Sequence, residues 1–440
     1  MPASPARSAA FTILLRMERE AAFASELLHS SLLDDLSPSD RNLCTEIVMG
    51  VLRWRSVLDR AIAQLSFTPF RKLDLEVLTA LRMGAYEKAQ LTRIPDRATV
   101  HETVELVKRA KKTSAAGLVN AVMRKLKLAL DPRRAGQTGA EALSKALAHP
   151  RWLVERWIGN FGLDRAELIC KYDQQVPETV LRLSADDDEA ELQLEGVKLR
   201  PGALLKRARR VAAGDVTATS LYKKGNTAIQ DEASQLVAAL VGEGKRILDC
   251  CAAPGGKTGA IAGRLPEAQV LAVELHPHRA RLLRRMVPHT NVEVMTADAQ
   301  QLPFAAEFDR VLADVPCSGT GTLARNPEIK WRLTADDLKD LQQRQTAILN
   351  AAMAHVAPGG RIVYSTCSLE PEENERVVEA CMRSRSEFRI VPARDELLRL
   401  ERAGELVWAD AGELLRGDFL RTIPGVEPYD GFFAAVLEKS

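Results

Sequence analysis

Two cysteines fifty residues apart occupy similar settings, Asp314-Val315-Pro316-Cys317-Ser318-Gly319 and Tyr364-Ser365-Thr366-Cys367-Ser368. Each follows a short apolar run that reads as a strand, 310–313 and 361–363, and each precedes loop-forming residues. Both thiols are therefore expected at strand ends, where open α/β sheets bind ligands. A third loop, Ala253-Pro254-Gly255-Gly256-Lys257-Thr258, follows the strand 246–248 and opens a helix. Two thiols facing one such loop suit covalent catalysis on an electrophilic ring, because a thiolate attacks well and leaves well.

The elements that must position these residues alternate from residue 228 onward as a doubly wound sheet requires. Strands are expected at 246–248, 269–273, 292–295, 310–313, 361–364, 388–391 and 431–437, with helices at 257–263, 278–286, 335–354 and 372–383. Glu274 ends the second strand about twenty residues after the glycine loop, the spacing at which a carboxylate accepts from ribose hydroxyls. Asp298 follows the third strand. A P-loop would need glycine at position 251, where Cys251 stands, and Gly-x-Gly-x-x-Gly is absent. What remains is a turn in which Pro254 restricts the backbone and Gly255 and Gly256 let it approach a ligand. Together with Glu274, Asp298 and Asp314 on successive strand ends, it points to an adenosyl cofactor.

The first part of the chain reads as helical. Ile47, Val51, Trp54, Leu58 and Ile62 recur at helical spacing, and similar patterns fill 73–86, 100–107 and 116–130. Breakers between 131 and 139 mark a linker. A mixed segment follows, helix-like at 152–161 and 166–172 and strand-like at 179–183. The expected organisation is a helical bundle over 1–130, a linker over 131–149, a small α+β subdomain over 150–227 and an α/β Rossmann-like catalytic domain over 228–440. Residues 1–150 carry 23 Lys+Arg against 16 Asp+Glu, a net +7, and the remainder carries −5. Basic clusters at Lys108-Arg109-Ala110-Lys111-Lys112, at Arg124-Lys125-Leu126-Lys127 and at Lys206-Arg207-Ala208-Arg209-Arg210 suit a polyanion, although any one of them alone is as readily a solvated face.

The seven cysteines show no paired framework and no Cys-x-x-Cys, as expected of reduced thiols in a large intracellular enzyme. Cys44, Cys170 and Cys381 fall in helical patterns and read as packing residues, and Cys250 and Cys251 as backbone of the cofactor loop. The histidines form no metal-ligand cluster, so no metal is expected. No apolar run is long enough to span a bilayer, so the chain is expected to be cytoplasmic, without membrane contact.

Cys250-Cys251-Ala252-Ala253-Pro254-Gly255-Gly256-Lys257-Thr258, Asp314 to Gly321, Asn326-Pro327-Glu328-Ile329-Lys330-Trp331 and Tyr364 to Ser368, in this order, resemble the motifs of RNA cytosine-C5 methyltransferases of the Sun/Fmu type. The bundle resembles the NusB-like RNA-binding domain, around 41–54 and 117–124. The resemblance implies S-adenosylmethionine as methyl donor, held by Cys251, Ala252, Ala253, Pro254, Gly255, Gly256, Lys257, Glu274, Asp298 and Asp314. It implies a cytidine in structured RNA as acceptor, in 16S ribosomal RNA or a small-subunit assembly intermediate, with transfer RNA as the alternative, and a monomeric enzyme.

By that analogy Cys367 adds to C6, Cys317 helps to release the methylated product, and Asp314 hydrogen-bonds the pyrimidine edge. Lys257 either lowers a thiol pKa or orients Asp314, and Trp331 either stacks on RNA or caps the core. Glu274 stands where many relatives carry Asp. Two rivals remain open: a DNA cytosine methyltransferase, whose nucleophile would be Cys317, and a non-catalytic RNA-binding or antitermination factor.

Overall fold

The computed structural model describes residues 3–20, 22–131, 139–408 and 410–440. The chain forms two compact units, Met1–Val176 with Leu323–Arg332, and Pro177–Thr322 with Leu333–Ser440.

The first unit is helical among its described residues. Its longest helix, Pro38–Leu65, starts at the Ser37 N-cap, whose hydroxyl accepts from the Asp40 N–H at 3.2 Å, with Pro38 in the first turn. It buries Ile47, Val51, Trp54, Leu58 and Ile62. Helix Ala116–Lys125 stops short of the apolar period, which runs to 130. Lys88 Nζ donates to the carbonyls of Met123 and Leu126 at 3.0 and 3.1 Å, which satisfies the helix end from a neighbouring helix.

Helices Ala140–Ala146, Arg151–Phe161 and Leu163–Asp173 also belong to this unit. The expected linker is thus helical at its end, and most of its breaker stretch, 132–138, lies outside the described residues. The segment expected as one α+β insert over 150–227 is divided, its helices clustering with the bundle and its strands with the second unit.

Residues Leu323–Arg332 leave the sequence of the catalytic motifs and pack in the helical unit. Arg53 donates to the Ala324 carbonyl at 3.0 Å, Trp331 Nε1 to the Leu52 carbonyl at 2.6 Å, and the Ala24 N–H to Glu328 at 2.9 Å. Trp331 therefore caps a core. Lys330 is almost fully buried, and its ammonium finds no hydrogen-bond acceptor among the described residues. Burial pushes it down to about 7 from the usual 10.5, against the attraction of Asp173 and Cys170.

Because the unfolded chain keeps that proton up to about pH 10.5, unfolding free energy should rise with pH from about 7 upward, by at most about 1.4 kcal/mol per pH unit for one proton. Buried thiols held high, such as Cys44 at about 11, reverse the trend once unfolded thiols ionise near pH 9. Urea unfolding between pH 7 and 8.5 should therefore show a positive slope that Lys330→Met flattens. An unchanged slope in the variant would remove Lys330 as its source.

The second unit holds two sheets. The smaller contains β1 (Val180–Leu183), β2 (Lys198–Pro201), β3 (Ala208–Ala213) and β4 (Thr227–Ile229) in the order β2-β3-β1-β4, all antiparallel. The larger is built on β5 (Arg246–Asp249), β6 (Gln269–Glu274), β7 (Val292–Thr296), β8 (Phe308–Asp314) and β9 (Val356–Thr366). These five are parallel in the order β7-β6-β5-β8-β9.

β10 (Phe388–Val391), β11 (Leu415–Arg416), β12 (Phe419–Arg421) and β13 (Phe433–Lys439) extend the larger sheet, with β13 antiparallel to β9. The central strands are apolar because helices pack on both faces of a parallel sheet: Ile247, Leu248, Val311, Leu312, Ala313, Ile362 and Val363 are all buried. The chain leaves β5 in one direction through β6 and β7 and returns to β8 and β9 on its other side. The carboxyl ends of β5 and β8 therefore flank a topological switch point, where such sheets bind ligands.

Candidate active site

The loop after β5, from Cys250 to Gly255, turns through a cis Ala253–Pro254 peptide into helix Gly256–Arg264. Gly255 sits at φ +115°, and a Cβ there would lie 2.5 Å from Val287 and 2.7 Å from Leu283. Its requirement is thus set by the backbone and by side chains of the protein, and Gly256 is the glycine with room beside it, Gln230 being 3.6 Å from such a Cβ. Asp249, missed in the sequence, ends β5 fully buried and receives the Thr258 hydroxyl at 2.7 Å, which ties the first turn of the helix to the strand. Burial pushes it up to about 6, against the Thr258 hydrogen bond.

Lys257 points from the first turn of that helix to Asp314 at the end of β8, Nζ to Oδ2 2.7 Å, and lies 4.8 Å from the Phe432 ring centroid. Burial works against its ammonium, but the charge and hydrogen bond of Asp314, then the charges of Cys367 and Asp249, outweigh it and raise Lys257 above the usual lysine value. The other oxygen of Asp314 receives the Ser365 hydroxyl at 2.7 Å, so the carboxylate is gripped from β9 as well. Of the two expected roles for Lys257, orientation of Asp314 is the one with a contact behind it. Ser365 was in the quoted motif but carried no expectation, because its spacing to Asp314 is visible only once β8 and β9 are paired.

Cys317 and Cys367 follow β8 and β9, and their sulfurs are 3.3 Å apart. The Cys317 thiol is pushed well above the ordinary range, first by its hydrogen bond to Cys367 and then by burial and by the charges of Cys367, Glu373 and Asp314. Either sulfur could donate in this contact. Cys250 and Cys251 are raised by burial, which leaves no thiolate in the loop. Cys44, Cys170 and Cys381 are buried in helices, as packing residues should be.

Glu274 at the end of β6 is buried, accepts the His276 N–H at 2.9 Å and lies 3.7 Å from Arg279. Asp298, just beyond β7, is exposed and accepts the Gln300 N–H at 2.9 Å. Carboxylates thus end three successive strands beside the β5 loop, with acceptor sites to spare for ribose hydroxyls and an amino group, and the N-terminal amides of helix Gly256–Arg264 suit a carboxylate. This donor set fits S-adenosylmethionine. No group of three or more His, Cys, Asp or Glu able to hold a metal occurs among the described residues. A cavity of about 450 Å³ is lined by Arg182, Arg207, Arg264, Glu243 and Glu405, and neither thiol is among its lining residues.

The basic cluster 206–210 carries less free charge than its sequence suggests: Arg209 pairs with Glu189 at 2.7 Å and Arg210 with Glu178 at 2.9 Å. At 108–112, Lys108 pairs with Glu105 at 2.8 Å and Lys112 with Asp74 at 3.0 Å, all exposed enough to exchange partners.

A sheet switching direction between β5 and β8, with an adenosyl-compatible acid ladder and two touching thiols, defines a Rossmann-like, S-adenosylmethionine-dependent methyltransferase. Residues 237–438 match the family described as 16S rRNA methyltransferase RsmB/F, and residues 4–127 match the NusB family. The chain is similar to the probable ribosomal RNA small subunit methyltransferase B of Bacillus subtilis (31% identical, all of both chains covered). It is similar to the ribosomal RNA small subunit methyltransferase B of Vibrio cholerae (32% identical, 92% of this chain and 91% of the other). The crystal structure of PH0851 shares its fold over the full length of both chains, with TM-score 0.79 at 23% identity. The chain belongs to the 16S rRNA methyltransferase RsmB/F family and is an RNA (cytosine-C5)-methyltransferase. No described helix is long and apolar enough to cross a membrane.

Proposed function

We propose that this enzyme methylates C5 of a cytidine in 16S ribosomal RNA, in the cytoplasm and as a monomer, through a covalent adduct between Cys367 and C6. The contact between the two sulfurs beside the Lys257–Asp314 pair carries this reading. Bound S-adenosylmethionine supplies an electrophilic methyl group.

The Cys367 thiolate adds to C6, and the electron pair of the C5=C6 bond makes C5 nucleophilic. Asp314, held by Lys257 and Ser365, accepts from the exocyclic amine and fixes the pyrimidine edge. Once Cys367 is a thioether, its charge no longer holds the Cys317 proton in place. Cys317 then releases that proton to water and takes the one on the methylated C5. The C–H pair re-forms C5=C6 and expels Cys367 as thiolate. The Thr366-Cys367 motif and the NusB match favour this order over the DNA-enzyme arrangement, in which Cys317 would attack.

Enzyme given labelled S-adenosylmethionine should transfer label to small-subunit ribosomal RNA, stripped or in precursor particles. Label in transfer RNA alone would replace the substrate, and none in any RNA would favour the binding-factor reading. For the cofactor, Glu274→Ala should weaken binding about 10- to 100-fold, the worth of a buried charge-assisted acceptor, and the exposed Asp298→Ala less. Calorimetry that finds both unchanged would remove these acids from the site.

The helical unit is proposed as the RNA-binding element, meeting phosphates through Lys108, Arg109, Lys111 and Lys112. Replacing all four should weaken binding across sequences and flatten its salt dependence, with turnover of a short saturating substrate preserved. A salt slope equal to wild type would assign the cluster to solubility.

A further inference from the structure

Glu373 lies in the turn between β9 and helix Glu375–Met382 and is wholly buried. One carboxylate oxygen accepts the Ser318 N–H at 2.8 Å and the Gln345 side-chain amide at 2.9 Å. The other takes the hydroxyls of Ser318 and Ser368. Ser318 follows Cys317 and Ser368 follows Cys367, so one side chain ties together the residues next to both thiols.

The anchor is itself fixed. Gln345 also donates to the Pro316 carbonyl at 2.9 Å, and Tyr364 on β9 donates its hydroxyl to the Glu373 carbonyl at 2.5 Å. Asn374, the next residue, receives the Thr366 hydroxyl at 2.5 Å and donates to the Ser368 carbonyl at 2.8 Å. Among the described residues no cation is a hydrogen-bond partner of Glu373, although a buried carboxylate is costly without one. Four donors, three from the two loops and one from Gln345, offset that cost, and the three from the loops do so only while the loops keep this relative position. An apolar side chain would fill the same space without linking them.

We propose that Glu373 is a positioning residue that sets the alignment of Cys317 and Cys367, and hence the rates of both adduct formation and adduct release. The proposal rests on the roles given above to the two thiols. Aspartate keeps the charge but retracts it by one methylene, too short to reach both loops. Glutamine keeps the length; its oxygen can serve the two N–H donors and its amide can donate to the serine hydroxyls, which can turn to accept.

Two measurements test it. In steady-state assays Glu373→Asp should lose at least tenfold in kcat with S-adenosylmethionine affinity within twofold of wild type, and Glu373→Gln should recover most of the loss. Independently of catalysis, the diazene oxidant diamide should close the aligned pair into a disulfide, the two thiols giving up two protons and two electrons that reduce diamide to its hydrazine. Peptide mapping should find the Cys317–Cys367 cross-link forming at least tenfold more slowly in Glu373→Asp than in wild type or Glu373→Gln.

Wild-type kcat and cross-linking in Glu373→Asp would overturn the proposal. So would a parallel fall of kcat, cofactor affinity and melting temperature in both variants, which would make Glu373 a fold residue only. Slow cross-linking with unchanged kcat would uphold the alignment and fault the thiol roles instead.

Discussion

Cys367→Ala should abolish methyl transfer and leave no covalent complex, whereas Cys317→Ala should methylate once and remain joined to its RNA. Without Cys367, C5 has no route to nucleophilic character, and the loss should reach the background of the assay. Without Cys317, addition and methyl transfer can proceed but the C5 proton has no base, so Cys367 cannot leave. A denaturing gel with labelled RNA should show a retarded, protease-sensitive band for Cys317→Ala only. That band with Cys367→Ala would exchange the roles, and full activity in both variants would end the covalent mechanism. The 3.3 Å contact makes the comparison clean, because either sulfur is close enough to serve in either role and only the chemistry separates them.

The parts of this site that were legible in the sequence are those whose signal is local. Apolar runs ending in Pro-Cys, Thr-Cys and Gly-Gly-Lys mark strand ends, and β5 to β9 place Cys317, Cys367, Lys257 and Asp314 there. Glu274 and Asp298 could be placed from their spacing for the same reason.

What stayed hidden is carried by pairing between distant segments. Ser365 matters because β8 and β9 lie side by side, and Glu373 because two loops fifty residues apart fold over one carboxylate. The carbonyls at the end of the helix over 116–125 are met by Lys88 from another helix, a contact no periodicity contains. Trp331 carries an apolar signal that says it will be covered, not by what. The cluster at 206–210 reads as free basic charge, yet β3 runs through it and sets Arg209 and Arg210 against acids from elsewhere in the fold.

The backbone itself offers the other large effect. Gly321 donates its N–H to the Cys367 carbonyl at 2.9 Å and accepts the Gly431 N–H at 2.8 Å, so the loop carrying Cys317 is stitched to the end of β9 and to the approach to β13. A Cβ at position 321 would lie 2.2 Å from the Gly431 carbonyl oxygen and 2.9 Å from that of Cys367. Both are backbone atoms, one just before β13 and one in Cys367 itself, so relieving the clash shifts the backbone that carries Cys317 relative to Cys367.

Overpacking of this kind costs about 1 to 3 kcal/mol, tolerable for a sheet of this size. Displacing a reacting group by about 1 Å costs roughly a hundredfold in rate. Gly321→Ala should therefore remain folded, keep its affinity for S-adenosylmethionine because the β5 loop is untouched, and lose about a hundredfold in kcat. Its Cys317–Cys367 cross-linking by diamide should slow in step. Activity within threefold of wild type would mean that the loop can yield without disturbing the thiols, and that their contact is less critical to turnover than the hydrogen bonds around it imply.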